Sequence, residues 1–405
     1  MVTLKIAFRN TLRQKRRTIL TALTMLVGFI LASVSIGWAG GTYSHVIDMF
    51  TRNRIGHIQI HAKGYMGKPS LHKSISQDRP VFEKIKNQKG IESWTSRVYS
   101  VGLASLKEKT GGIQITGIDV DKEVKTTNFD KKITQGRNLS KDSYKEALIG
   151  KGLSKILLAD VGDDVIVISQ GADGSIANDI YTVVGITDSG NEEADRTGFY
   201  IDLSDAQNLL VLGKRIHEIV IVCTDLDKVK KITNTLKSEL AEYDLEVSPW
   251  QETAKSFYNA MQADLQGMWL MIFVIVLIIA VQVLNSVLMS VLERTREYGV
   301  LKAVGTRPFQ VFKLVIFEVS IIAVASVLIG SLLSTFINHL LSVYGINLSE
   351  PFSYGGIEFN KLSSQVSARS VYLPAIIVIL SSAGISVIPA IRAARTVAAK
   401  AMRSI

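Results

Sequence analysis

Cysteine is nearly absent from this chain of 405 residues, which contains only Cys223. A single thiol cannot form an internal disulfide, and a zinc site built on several cysteines is excluded as well. We therefore expect Cys223 to lie buried in a strand as a small apolar residue, as free cysteines commonly do.

Charged residues are also scarce, and they are unevenly distributed. They make up 20% of the chain, below the roughly 25% of an average soluble domain, whereas 47% of the residues are apolar. The net charge is +10, and the excess of positive charge lies in residues 1–17, 293–313 and 389–405. Because no broad basic domain exists, we expect no nucleic-acid partner.

The sequence motifs of common catalytic sites are missing. Neither G-x-S-x-G nor G-x-x-x-x-G-K-[ST] occurs, so the chain lacks the usual serine-hydrolase elbow and the loop that cradles ATP phosphates. His57 and His61 have the spacing of a metal pair on a helix, but Ile58-Gln59-Ile60 alternates like a strand. Four strand residues span about 13 Å, too far for one zinc ion. We expect no catalytic residue, metal or cofactor here.

Long apolar runs are present instead, and four of them are long enough for a bilayer, which needs about 20 such residues. The first exceeds the about 7–15 apolar residues of a signal peptide, so we interpret it as an uncleaved anchor. Small residues recur in these spans and predict closely packed helices. The predicted spans are TM1 (18–40), TM2 (268–292), TM3 (314–340) and TM4 (371–388).

Three polar side chains within the spans need an explanation. Gln282 and Asn285 lie three residues apart on one face of TM2, where hydrogen bonding between helices is expected and a polar substrate path is the alternative. Glu318 lies near the start of TM3, close to Lys313, where long side chains can reach the membrane surface. We assign Glu318 no role in transport.

The three basic segments flank the spans on one side. The positive-inside rule therefore places the N-terminus, the 293–313 loop and the 389–405 tail in the cytoplasm. Residues 41–267 and the outer loop 341–370 would then face outward.

The 41–267 block has the pattern of a mixed α/β domain. Alternating segments predict strands near 57–61, 95–106, 112–118 and 216–223, and helices near 79–89 and 225–243. The glycine-rich centre, about 121–212, predicts a lobe inserted into a first lobe formed by about 45–120 and 213–250. Residues 250–267 would form a helical stalk. The predicted fold class is thus four transmembrane helices plus a large two-lobed mixed α/β extracytoplasmic domain.

Residues 1–17 predict an amphipathic helix. Leu4, Ala7, Phe8, Thr11 and Leu12 share one face. Such a helix suits the inner membrane surface. Its basic residues are Lys5, Arg9, Arg13, Lys15, Arg16 and Arg17.

The loop between TM2 and TM3 begins with E-R-T-R-E-Y-G-V-L-K-A-V-G-T-R-P, residues 293–308. Val300, Leu301 and Val304 form a narrow apolar stripe of a short helix, and Gly305 and Pro308 suit its end. A simple positive-inside tether is the alternative. The charged side chains expected to be available to a partner are Arg294, Arg296, Glu297, Lys302 and Arg307.

This run closely resembles the motif after the second span in the FtsX/MacB (type VII) family of ABC-transporter membrane subunits. The A-F-R-N-T-L-R-Q-K-R-R-T and P-A-I-R-A-A-R runs, and the order of one span, a large domain and three spans, resemble that family too. The resemblance implies a porter-plus-sabre outer domain and mechanotransmission, in which cytoplasmic ATPases move the outer domains. The coupling residues that it implies are Glu293, Arg294, Arg296, Glu297, Tyr298, Gly299, Leu301, Lys302, Gly305 and Arg307.

Within the family, G-H-I-Q-I-H-A-K-G-Y (56–65) and A-L-I-G-K-G-L (147–153) resemble the LolC/LolE lipoprotein-releasing branch. This implies a non-enzymatic permease of the bacterial inner membrane, with ATP and Mg²⁺ on a separate cytoplasmic ATPase dimer. The implied partners are a second permease copy or a paralogue, a lipoprotein, and a periplasmic chaperone or adaptor. Residues 169–179 are a candidate hairpin for a chaperone-binding hook. A MacB-like efflux engine and an FtsX-like signalling scaffold are the alternatives.

Overall fold

The computed structural model describes residues 2–78, 80–140, 144–354 and 357–396. The helices are α1 (Val2–Arg13), α2 (Lys15–Phe50), α3 (Val81–Asn87), α4 (Val120–Thr127), α5 (Lys151–Leu157), α6 (Glu192–Thr197), α7 (Leu203–Leu209), α8 (Val229–Glu239), α9 (Trp250–Thr253), α10 (Lys255–Glu293), α11 (Thr295–Ala303), α12 (Pro308–Val343) and α13 (Ala368–Arg395). The strands are β1 (Ile58–Ala62), β2 (Ile75–Ser76), β3 (Ile91–Leu106), β4 (Lys109–Ile118), β5 (Ile133–Gly136), β6 (Glu146–Gly150), β7 (Asp164–Gln170), β8 (Ile176–Thr187), β9 (Gly198–Asp202), β10 (Arg215–Ile216), β11 (Glu218–Cys223), β12 (Leu245–Pro249), β13 (Ile346–Tyr354) and β14 (Ile357–Leu362).

The chain divides into two compact units. The first, which we call the helical unit, comprises Met1–Ser44, Met261–Ser349 and Lys361–Ile405, and the second, the sheet unit, comprises His45–Ala260 and Glu350–Asn360. The sequence predicts an outer loop at 341–370, whereas in the structure β13 and β14 pair with each other within this segment. The Gly355-Gly356 dipeptide, typical of hairpin turns, is the signal that was missed, and it lies outside the described residues.

The helical unit contains the four predicted spans. Each lies within a long apolar helix, namely α2, α10, α12 or α13, that is long enough to cross a membrane. Close packing depends on glycine, because a Cβ atom on Gly330 would lie 2.7 Å from Cδ1 of Phe29, and one on Gly28 would overlap Ile279. The prediction of small residues at helix contacts is confirmed at these positions.

The sheet unit is built on a mixed sheet of ten strands in the order β12-β1-β11-β3-β4-β9-β6-β8-β5, with β7 pairing β3 and β8. Strands from both predicted lobes join this one sheet, since β4 pairs in parallel with β9. Strands β7 and β8 form a hairpin around residues 171–175, where the candidate hairpin was predicted. Its role as a hook stays a prediction.

The two spaced histidines have separate structural partners. His57 lies just before β1, and its Nδ1 accepts a hydrogen bond from the backbone N–H of Cys223 at 2.9 Å. His61 lies in β1 with Nε2 at 3.5 Å from Oε1 of Glu218. Cys223 is 1% exposed in β11, and burial raises the pKa of its thiol to about 12. Among the described residues, no group of three or more His, Cys, Asp or Glu could hold a metal ion.

Acid should destabilise the sheet unit through His57. Burial, followed by the charge of Arg52, lowers the pKa of His57 to about 4, so the unfolded chain binds a proton at higher pH than the folded chain. The free energy of unfolding should therefore fall by about 2 kcal/mol from this group between pH 7.5 and pH 5. Urea titrations followed by tryptophan fluorescence measure this change. In His57→Asn, whose side-chain oxygen can accept the same hydrogen bond without titrating, the pH dependence should shrink; equal dependence in both proteins would contradict the assignment.

Candidate functional site

The short helix α11 connects α10 and α12 in the helical unit. It ends where Gly305 adopts a φ of +102°, a conformation that side chains with a Cβ rarely tolerate. The N–H groups of Gly305 and Thr306 donate to the carbonyls of Lys302 and Leu301, each at 3.0 Å. Pro308 then begins α12, where its fixed φ suits the first helical turn. The sequence thus sets both the length of α11 and its separation from α12.

A charged cluster, formed by Asn10, Arg294, Glu297 and Glu318, lies beside α11. Arg294 donates from Nη1 to both carboxylate oxygens of Glu318 at 3.0 and 3.1 Å, and from Nε to Glu297 at 2.9 Å. Asn10 of α1 donates from Nδ2 to Glu318 at 2.6 Å. The side chains of Arg294 and Glu318 are only 10% and 12% exposed. A shielded pair of this kind joins the start of α11 to α12 and α1.

Two exposed ion pairs extend this cluster toward the N-terminal segment. Arg13 lies 3.3 Å from Glu297, and Arg17 lies 2.9 Å from Glu293. These two arginines were predicted to lie at the membrane surface, and the structure also pairs them with acidic residues of the 293–308 run. Lys5, Arg9, Lys15 and Arg16 are exposed. Exposed apolar side chains of α1, which suit a membrane surface, are Leu4, Ile6, Phe8 and Leu12.

The inward face of α11 is packed. Tyr298 is fully buried in the core of the helical unit, and Leu301 packs against that core. Lys302 donates from Nζ to the carbonyl oxygens of Ala394 and Thr396, with 2.8 Å to the latter. Lys302 therefore binds the last carbonyls of α13, which attract a cation.

The expectation that all five charged side chains of the run are free for a partner was wrong for Arg294, Glu297 and Lys302, since Glu297 is paired with Arg294 and Arg13. Arg294 and Lys302 are used inside the chain, because Arg294 reaches Glu318 of α12 and Lys302 reaches carbonyls at the end of α13. Arg296 and Arg307 are exposed. So are Val300 and Val304, the latter at 83%. The outward face of α11 and the turn that follows it thus form a mixed basic and apolar surface, which we call the docking face: Arg296, Val300, Val304 and Arg307.

Glu318 and Asn10 were missed as site residues. Glu318 was expected to reach the membrane surface near Lys313, yet it binds Arg294 and Asn10 instead. A lone carboxylate in an apolar span is a functional candidate by default, and that signal could have identified Glu318. Nothing in the pattern of α1 distinguishes Asn10.

The sheet unit has a buried charged network of its own. Arg97 donates to Glu123 at 2.5 Å, and the Tyr99 hydroxyl donates to Glu218 at 2.5 Å. Burial would raise the pKa of Glu218, but its hydrogen bond with His61 and the charge of Arg97 outweigh this and lower it. Arg97, Glu123 and Glu218 line part of a cavity of about 660 Å³. Because these three charged groups already have partners, the network fixes β3, α4 and β11.

Two family models match the chain. One, described as the MacB-like periplasmic core domain, matches residues 18–239, which is more than half of the chain. The other, described as the FtsX-like permease C-terminal domain, matches residues 269–398. The chain belongs to the FtsX/MacB family of ABC-transporter permeases. The second match contains α11, and the predicted family and fold class are confirmed.

The permease is similar to proteins that are named for different activities. It is 26% identical over 336 residues to the lipoprotein-releasing system transmembrane protein LolC of Neisseria meningitidis serogroup B, covering 78% of this chain and 79% of LolC. It is 24% identical over 356 residues to the macrolide export ATP-binding/permease protein MacB of Campylobacter jejuni, covering 82% of this chain and 53% of MacB. The permease thus spans about half the length of that MacB protein.

Proposed function

We propose that this permease is moved by a separate cytoplasmic ABC ATPase and extracts lipoproteins from the outer leaflet of the bacterial inner membrane. The released lipoprotein would pass to a periplasmic carrier. The observation that supports this cargo is the similarity to LolC, which extends over about four fifths of both chains. The termini and α11 would lie in the cytoplasm, in keeping with the basic flanking segments.

The movement of the ATPase would be transmitted to the permease through α11. The 405 residues contain no P-loop, so ATP and Mg²⁺ would bind to the partner chain. The docking face offers two arginines and two exposed valines to that partner. The charged cluster and Lys302 would pass its movement to α1, α12 and α13.

Reversing the charge of Arg296 should weaken binding of the ATPase. Arg296 is exposed, so Arg296→Glu should fold normally while its affinity for the ATPase falls about tenfold, which corresponds to about 1.4 kcal/mol. Co-purification at graded salt concentrations measures this. Lys313→Glu, an exposed charge reversal on α12, is the control, and equal loss in both variants would contradict the docking assignment.

The decisive experiment is purification from native membranes in mild detergent, with identification of every bound chain by mass spectrometry. The expected result is an ABC ATPase together with acylated lipoproteins. Reconstituted with that ATPase, the permease should release a labelled lipoprotein to a soluble carrier only when ATP is present. Finding no ATPase would overturn the proposal, and ATP turnover indifferent to lipoprotein would overturn the cargo.

An efflux engine is the second candidate. The similarity to MacB covers 82% of this chain, which favours a pump that works with a periplasmic adaptor. Recovery of such an adaptor with the ATPase, and no lipoprotein, would select this function over lipoprotein release.

A further inference from the structure

One face of the sheet in the sheet unit is polar and borders the cavity of about 660 Å³. The register pairs Glu218 with Arg97, Tyr99 with Thr116, and Thr116 with Tyr200, and residues paired in this way share a face. All five line the cavity. Because side chains alternate along a strand, the core of these strands lies on the other face. The neighbouring residues that point to that face are apolar and fully buried: Val98, Ile115, Phe199 and Ile219.

The cavity also has apolar and aromatic walls. The rings of Phe129 and Tyr200 meet edge to face with their centroids 5.0 Å apart. Ile55, Tyr65 and Leu71 line the cavity as well. Cavities of about 300–1,000 Å³ that combine such walls with a few polar groups are typical of binding sites for small molecules. The size and the lining of this cavity therefore fit a small amphipathic ligand.

Positive charge is in excess around the cavity. Among the described residues that line it, three carry a guanidinium or ammonium group and two carry a carboxylate. Arg97 is paired with both carboxylates, those of Glu123 and Glu218. Arg54, which is exposed, and Lys132, which is partly buried, have no ion-pair partner among the described residues. These two cations are therefore available to a ligand.

The surroundings of Lys132 disfavour its charged form. Its Nζ donates to the carbonyl oxygen of Asn53 and lies 5.2 Å from the centroid of the Phe129 ring. Burial lowers the pKa of Lys132 to about 8, although the charge of Asp195 acts in the opposite direction. The carboxylate of Asp195 itself accepts hydrogen bonds from the N–H of Ser189 at 3.0 and 3.1 Å. An anion bound beside Lys132 would stabilise the ammonium group.

We propose that this cavity binds a small organic anion, in which a carboxylate or phosphate group is attached to an apolar body. Lys132 and Arg54 bind the anionic group, and the apolar body packs against Phe129 and Tyr200. Arg97 takes no part, because its charge is already matched by Glu123 and Glu218. A cavity of this volume cannot hold a folded lipoprotein, so the ligand differs from the proposed cargo, and the inference goes beyond the proposed function.

Calorimetric titration of the permease in lipid nanodiscs tests the site. The probe is naphthoate, a carboxylate on a flat aromatic body. The matched control compound is naphthamide, which has the same body without the charge. Empty nanodiscs, titrated in the same way, correct for the partition of either compound into lipid. We expect saturable binding of naphthoate that is at least tenfold tighter than that of naphthamide.

Two lysine variants locate the site. Lys132→Met keeps a long side chain but removes the charge, so its affinity for naphthoate should fall at least tenfold. The variant should fold, because burying an ammonium group is itself unfavourable. Lys131→Met removes an exposed charge at the neighbouring position and should change the affinity less than twofold.

A second readout uses the unchanged chain. Acetic anhydride acetylates deprotonated lysine amines, and mass spectrometry of the peptides gives the rate at each lysine. Saturating naphthoate should slow the acetylation of Lys132 at least fivefold and that of Lys131 less than twofold.

Four outcomes would each overturn the proposal: no saturable binding of naphthoate, equal affinity for naphthamide, equal loss of affinity in the two methionine variants, or no protection of Lys132. Neither readout involves an ATPase or a lipoprotein, so failure of the proposed function would appear separately.

Discussion

Replacing Glu318 by leucine should cost the permease about 3 kcal/mol of stability and most of its ATP-dependent transport. The substitution leaves the guanidinium of Arg294 shielded with its main charged partner gone, and breaking such a pair is typically worth about 3–5 kcal/mol when fully buried. We expect a loss of stability at the lower end of this range because the side chains of Arg294 and Glu318 keep some exposure, 10% and 12%. Thermal unfolding in detergent and transport by proteoliposomes measure the two losses.

A double variant separates stability from coupling. Replacing Arg294 and Glu318 together by leucine removes both charges, and apolar replacements of a whole buried pair are often neutral. We expect the thermal midpoint to recover while transport stays low, because the link between α11 and α12 is still missing. Lys313→Leu, an exposed position on the same helix, should change neither. Full recovery of transport in the double variant would restrict the pair to a structural role.

Breaking α11 should uncouple ATP hydrolysis from transport more severely than any change on its surface. Leu301→Pro removes a backbone donor and clashes within a nine-residue helix, at a cost of about 3 kcal/mol. Under the proposed function, the ATPase should remain able to hydrolyse ATP, whereas lipoprotein release falls at least tenfold. Assaying hydrolysis and release on the same proteoliposomes shows whether the two rates separate.

The control for this variant keeps the helix intact. Leu301→Ala loses packing against the core of the helical unit but preserves every backbone hydrogen bond of α11, and alanine favours helix. Its transport should fall less than threefold. If Leu301→Ala reduces transport as much as Leu301→Pro does, loss of side-chain packing explains the effect. That outcome would contradict the prediction that continuity of α11 is required.

Features with local causes were predictable from the sequence. The spans follow from uninterrupted apolar runs, and the end of α11 follows from Gly305 and Pro308, whose backbone preferences act within a few residues. The strand at 58–62 follows from the alternation around Gln59, which also separates His57 from His61. In each case the determining residues are neighbours along the chain.

Features created by long-range contacts were not predictable. Asn10 and Glu318 are 308 positions apart, and no local pattern records that they meet. Arg294 and Arg296 look alike in the sequence, yet one is paired and the other exposed, because a helix turns by about 100° per residue. The sequence shows which residues of a helix are charged, but tertiary packing determines which of these residues form ion pairs within the chain.

Asn10 also limits how such permeases can be recombined. It lies on α1, outside both ranges that match family models, 18–239 and 269–398, yet it completes the cluster around Glu318. A hybrid that takes the C-terminal helices from one parent and the first residues from another would place unmatched side chains at this junction. Successful chimeras, natural or engineered, should therefore inherit both ends of the chain from the same parent.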